Sequence, residues 1–211
     1  MQETTALLGI GMALAIGAAS PGPSFVMVAR TAIATSRTDG ICAALGMGIG
    51  GLIFATAALL GLHGLLLAIP SLYWTFKILG GLYLAYLGLQ IWLSANKPLV
   101  VGTTESMVTT PKVIRSFVIG LTTQISNPKT AIVYASVFAA FLPAEPSLAF
   151  NLSIAGIVFL IETVWYTLVA LVLSSNIPRR IYLNYKTWLD RVAGGVMIAL
   201  GFKLVTSAER S

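Results

Sequence analysis

Six apolar runs dominate this chain, each of roughly 20 residues, the length that carries an α-helix across the hydrocarbon core of a bilayer. They extend approximately from Thr5 to Arg30, Ile41 to Ile69, Leu72 to Leu93, Phe117 to Leu142, Leu148 to Leu173, and Leu189 to Thr206. Such a chain cannot cover a water-soluble surface. Only 9% of its 211 residues are charged, against about 25% in a soluble domain. In lipid every backbone polar group has to be satisfied within the protein, which leaves helices as the spanning element. The runs predict an all-α membrane protein with six transmembrane helices.

The charges lie between the runs and orient them. Arg30, Arg37 and Asp39 flank the first connection. Lys97, Glu105, Lys112 and Arg115 occupy the third, and Arg179, Arg180 and Lys186 the fifth. By contrast the start has only Glu3, the second connection has no charge, and the fourth has only Glu145. Lysine and arginine mark the cytoplasmic side, so a multi-pass inner-membrane protein with both termini periplasmic is expected. The net charge of +6 resides in these connections, which argues against nucleic acid as a partner. The first run is read as retained: Gly17-Ala18-Ala19-Ser20 resembles a cleavage site, but no basic region precedes it.

Two runs are interrupted. Ser20-Pro21-Gly22-Pro23-Ser24 sits within the first, and Ser126-Asn127-Pro128-Lys129 within the fourth. Proline removes a helical hydrogen bond and frees the carbonyl one turn back. Broken helices persist in hydrocarbon only where protein or an aqueous cavity satisfies them. Paired interruptions in two halves of a chain point to a transporter's binding site. The long linker around residues 94–116 divides the chain into such halves, residues 1–93 and 117–211. Trp74-Thr75-Phe76-Lys77 followed by Gly80-Gly81 is echoed by Trp188-Leu189-Asp190-Arg191 followed by Gly194-Gly195. With three spans each, the halves are expected to be inverted repeats. Aromatic anchors and packing glycines common to any membrane helix are the alternative source of that echo.

The candidate site residues follow. Half-helix N-termini suit a carboxylate, placing a substrate beside Pro21, Gly22, Pro23 or Pro128, with Ser20, Ser24 or Asn127 as hydrogen-bond partners; Gln124 shares the face of Asn127. Structural kinks are the other reading of both breaks. Glu162 is the one carboxylate deep within a span, a position that marks ion or proton pathways. It is a candidate for substrate ammonium binding or proton coupling, or for pairing with Lys129 to join the halves. Lys129 is read as a structural or substrate cation. Trp165 and Tyr166 share the helical face of Glu162. Lys77 and Arg191 read as snorkelling cations, and His63 as a headgroup-level residue or a proton relay.

Other chemistries find little support. Cys42 is the single cysteine, so neither a disulfide nor a cysteine metal cluster is available. Gly46-Met47-Gly48-Ile49-Gly50-Gly51 fits a dinucleotide pattern, yet no strand precedes it and no acid follows at the required distance. No Walker phosphate loop is present, so ATP is not a direct driver; neither a cofactor nor a metal is expected. An intramembrane hydrolase would have to pair a serine with His63 across the bilayer.

Taken together, these stretches resemble the lysine exporter (LysE/RhtB-type) translocators. The likeness rests on Pro21-Gly22-Pro23, the glycines Gly46, Gly50 and Gly51, and the segment from Lys77-Ile78-Leu79-Gly80-Gly81 to Gly88. Phe117-Val118-Ile119-Gly120-Leu121 leading to Asn127-Pro128-Lys129 completes it. The resemblance implies efflux of a small amino acid or derivative driven by the proton motive force, with the substrate and the bilayer as partners and a homo-oligomer left open. Export of another small metabolite or an inorganic cation, and a non-transporting scaffold, are the rival readings.

Overall fold

The computed structural model describes residues 2–20, 22–68, 72–97, 113–143 and 146–208. Among these there are eight α-helices and no strand: α1 (Gln2–Ala19), α2 (Pro23–Ala34), α3 (Arg37–Ala68), α4 (Leu72–Ser94), α5 (Val113–Ile125), α6 (Pro128–Phe141), α7 (Leu148–Leu173) and α8 (Asn176–Ala208). The helices are interrupted where the prolines stand, between α1 and α2 and between α5 and α6. Pro23 and Pro128 each open a helix, the position at which a missing N–H does least harm. Pro21 and Glu145, and the linker from residue 98 to 112, lie outside the described residues, as do the side chains of His63 and Lys77.

Two helical stretches, Arg37–Gly61 and Leu148–Leu173, are by themselves long and apolar enough to cross a membrane. The pair α1 and α2 makes a third if taken as one span, bent by 56° at the break. The last helix differs from expectation. It begins at Asn176, well ahead of Leu189, and takes in Arg180 and Lys186, which the sequence placed in a connection. The cause is a buried polar contact. Lys186 Nζ donates to Asp190 Oδ2 at 2.6 Å, one turn along, and to the Ala95 carbonyl at 3.3 Å. Thr187 Oγ1 donates to the same carbonyl at 3.2 Å, and Arg191 reaches Asn96 Oδ1 at 3.4 Å. The end of α4 is thus satisfied by α8, and Arg191 has a protein partner.

The registers of the contacts fix the helix directions. Gly9 faces Phe141, Gly17 faces Val133, and Ser24 bonds Gln124, so α1–α2 runs antiparallel to α5–α6. Arg37 bonds Ser174 while Gly51 meets Val158, which sets α3 antiparallel to α7. Gly88 meets Gly194 and Gly81 meets Gly201, which sets α4 antiparallel to α8. In contrast α3 and α5 run parallel, from Asp39–Ser116 to Gly50–Gln124. So do α1 and α7, from Glu3–Ser147 to Gly11–Ile157.

The burial pattern is that of a protein in an apolar solvent. On α7 the inward face holds Ile154, Val158, Glu162, Tyr166 and Ala170, while Leu152, Leu160, Val164 and Leu168 face outward. Two apolar clusters fill the interior. One gathers α1, α6 and the first half of α7 around Leu14, Val137, Phe138 and Ile154. The other gathers α2, the start of α3 and the end of α7 around Phe25, Val28, Met47 and Val169. The polar residues of the two breaks lie between them.

Small residues set how closely the helices approach. A Cβ on Gly46 would overlap the Phe117 carbonyl, and one on Gly120 would overlap that of Ala43. At the α4–α8 crossing, a Cβ on Gly194 would stand 2.6 Å from the Gly88 carbonyl oxygen. Gly194→Val is therefore expected to lower thermal stability in detergent by about 1–3 kcal/mol, the scale of overpacking. Gly61→Ala, with nothing within 4 Å of the added carbon, is expected to leave the melting temperature at or slightly above the parent value.

Candidate functional site

The two breaks are healed in different ways. At the end of α1, Ser20 N donates to the Ile16 carbonyl at 3.1 Å. The next carbonyl in the ladder belongs to Gly17 and would take its bond from residue 21, but proline has no N–H to give. Lys129 supplies it instead. Its Nζ donates to the Gly17 carbonyl at 3.3 Å and to the Ser20 carbonyl at 2.9 Å. A side chain from the second break thus closes the first.

The second break is closed locally. Pro128 cannot serve the Gln124 carbonyl, which accepts from Asn127 N at 3.3 Å in a tightened last turn. Asn127 then caps α6, its Oδ1 accepting from Lys129 N at 3.0 Å. Asn127 Nδ2 also donates to Ser24 Oγ at 2.8 Å, and Ser24 Oγ donates to Gln124 Oε1 at 3.0 Å. One hydrogen-bonded chain, Asn127–Ser24–Gln124, therefore ties the start of α2 to both sides of the second break. By contrast no side chain caps the start of α2 at Gly22.

Beside this chain lies a narrow cleft, open to one side. Ser20, Gly22, Ser24, Asn127, Lys129 and Glu162 line it, together with Thr130, Tyr134 and Tyr166. Glu162 is 4% exposed. Tyr134 Oη donates to its Oε1 at 2.7 Å, whereas Oε2 is buried with no partner. Gln124 Nε2 is likewise buried and unpartnered. Buried polar atoms without partners are uncommon and costly; Glu162 lines the cleft, whereas Gln124 lies behind its wall with its side chain close to the Glu162 carboxylate. Glycines of α3 make the room. A Cβ on Gly51 would stand 3.1 Å from both Glu162 Cγ and Tyr134 Oη, and one on Gly50 would stand 2.8 Å from Gln124 Cβ.

Lys129 and Glu162 are near enough to feel each other's charge, but the direct ion pair considered from the sequence is not made. An ion pair within 4.0 Å does form elsewhere, between Lys186 and Asp190. The ammonium is held by backbone carbonyls and the carboxylate by a tyrosine, with the cleft beside them. Such an arrangement presents opposite charges to a small zwitterion. No group of three or more His, Cys, Asp or Glu is found among the described residues.

Of the ten residues singled out in the sequence, six line this cleft: Ser20, Gly22, Ser24, Asn127, Lys129 and Glu162. Pro23 and Pro128 stand at helix starts, and Gln124 is bonded to Ser24 behind it. Pro21 lies outside the described residues. Tyr166 lines the cleft as its spacing from Glu162 suggested, whereas Trp165 packs against the α2–α3–α7 cluster. Sequence reasoning missed Thr130 and Tyr134. The signal was present: they are one helical turn apart, directly after the second break.

Comparison with known proteins identifies the family. The family model described as LysE type translocator matches residues 15–208. The threonine efflux protein of Escherichia coli K12 is 32% identical over 200 residues, covering 95% of this chain and 97% of its own length. That of Salmonella typhi is 33% identical over 201 residues, covering 94% and 96%. An uncharacterized membrane protein of Haemophilus influenzae is 31% identical over 191 residues, 90% of each chain. No solved structure matches the chain at a comparable level. With a family match over most of its length and relatives about a third identical along nearly the whole chain, the chain belongs to the LysE type translocator family.

Proposed function

We propose that this translocator is a six-span inner-membrane exporter of a small amino acid or amino-acid derivative, driven by the proton motive force through alternating access. The observation that carries the reading is the cleft where the two breaks meet, with the Lys129 ammonium and the unpartnered oxygen of Glu162 both on its wall. A substrate carboxylate is drawn toward Lys129 and the uncapped start of α2, which presents free amides and a positive dipole end. Its ammonium is drawn toward Glu162. The relatives named as threonine efflux proteins agree with a substrate of this size and charge.

The topology is read with α1–α2 and α5–α6 as one broken span each, so that helix directions alternate along the chain as six spans require. Exchanging residues 1–93 with 117–211 turns the α1–α6 contact into α5–α2 and the α3–α5 contact into α7–α1, and all four occur. Under the register that aligns Trp74 with Trp188, the Gly88–Gly194 contact maps to within one residue of Gly201–Gly81. These correspondences favour two inverted repeats that rock against each other around the cleft. Arg37 and Lys186 lie at the end of the bundle assigned to the cytoplasm.

Three outcomes test the reading. Cells or loaded vesicles carrying the protein release labelled small amino acids faster than controls; an unchanged rate across a full amino-acid panel would remove the assignment. Glu162→Gln lowers export by about tenfold or more, the scale of losing a hydrogen bond to a charged group, and flattens its pH dependence. Efflux that keeps its pH dependence in this variant contradicts proton coupling through Glu162. In a Cys42→Ser background, Thr206→Cys is labelled by impermeant thiol reagents from the periplasm and Lys97→Cys from the cytoplasm alone.

A further inference from the structure

The ammonium of Lys129 is bound in a way that the export reading does not require. Its two acceptors are main-chain carbonyls three residues apart at the C-terminal end of a broken helix. That end carries about half a negative charge from the aligned peptide dipoles. In secondary transporters, unwound carbonyls and half-helix C-termini are the groups that hold a coupling sodium ion. Here the lysine stem passes over Gly22, where an added Cβ would stand 3.4 Å from its Cδ and 3.5 Å from its Nζ. The stem delivers the cation from α6, an element of the other half of the chain.

We propose that the Gly17 and Ser20 carbonyls form a monovalent-cation site that the chain fills from within. The tethered ammonium of Lys129 takes the place of a dissociable ion. The inference rests on the export reading for its meaning in transport, but the site itself is defined by the carbonyl geometry alone.

Chemistry on the page supports the assignment. An ammonium has three donors, and two are used on Gly17 and Ser20, leaving the third for the cleft that Lys129 lines. Its charge is met by backbone dipoles and not by a direct bond to Glu162, so the carboxylate keeps a free oxygen for a substrate or a proton. A diffusible ion can enter and leave on each cycle, whereas a tethered one moves only with α6. Occupancy of this site then follows the relative position of the two halves and not the concentration of any ion. Export is consequently indifferent to sodium and potassium, and removal of the side chain leaves a vacant site that small cations can enter.

The test uses the full-length protein in liposomes and detergent, as wild type and as Lys129→Gly, Lys129→Met and Lys129→Arg. Wild-type export is expected to be unchanged when sodium is replaced by choline. Lys129→Gly is expected to export about tenfold more slowly or worse, as when a buried acceptor loses its charged donor. Methylammonium should restore it saturably, and tetramethylammonium, which has no N–H, should not. The melting temperature of Lys129→Gly should rise saturably with methylammonium, with no such response in wild type or Lys129→Arg. A saturable sodium requirement in the wild type overturns the proposal. So does wild-type export by Lys129→Met, or a Lys129→Gly protein whose stability no cation affects. If Lys129→Gly folds only with methylammonium present, the site is upheld; if no cation recovers it, the site is rejected. Should wild type export no amino acid, the function reading fails while the melting series still decides the cation site.

Discussion

A carbonyl deprived of its N–H partner in a medium without water is the constraint on which this structure turns. Pro21 and Pro128 each deprive one, at Gly17 and Gln124. Leaving either unpaired inside hydrocarbon costs several kcal/mol (about the value of one unsatisfied backbone group there). The chain answers once locally, with the Asn127 N–H, and once at long range, with Lys129. The long-range answer couples the two breaks: α6 has to start beside the end of α1 for the lysine to reach. Placement of Ser24, Gln124 and Asn127 in one hydrogen-bonded chain follows from that juxtaposition.

Around this polar seam the apolar packing divides in two. Phe138, Ile154 and Leu14 close one side, and Phe25, Met47 and Val169 the other. The seam retains polar atoms that an interior built only for stability would pair or replace. Gly50 and Gly51 let the Gln124 and Glu162 side chains pack directly against the α3 backbone. Stability is drawn instead from close helix crossings, where glycines bring backbones together away from the seam.

Much of the site was legible in the sequence because proline, glycine and buried charge leave marks that need no neighbour to interpret. The breaks, the depth of Glu162 and the face it shares with Tyr166 are properties of one helix at a time. The unread part depends on which helix faces which. Lys186 looked like a loop cation since its partners, Asp190 and the Ala95 carbonyl, come together only when α8 lies along α4. Tyr134 carries no mark of its own on α6 and meets Glu162 only through the packing of α6 near α7. The direct Lys129–Glu162 pair, natural for opposite charges in lipid, is displaced by backbone carbonyls that no sequence pattern advertises.

Water access to the seam is the most direct test of the account. Thr130 lines the cleft one residue beyond Lys129 and is buried. In a Cys42→Ser background, the reaction rate of Thr130→Cys with a small water-soluble methanethiosulfonate reagent reports whether the meeting point of the two breaks is wet. The account predicts measurable modification in membranes, slowed by the exported amino acid. A thiol that never reacts, or that reacts at one rate whatever amino acid is present, would contradict it.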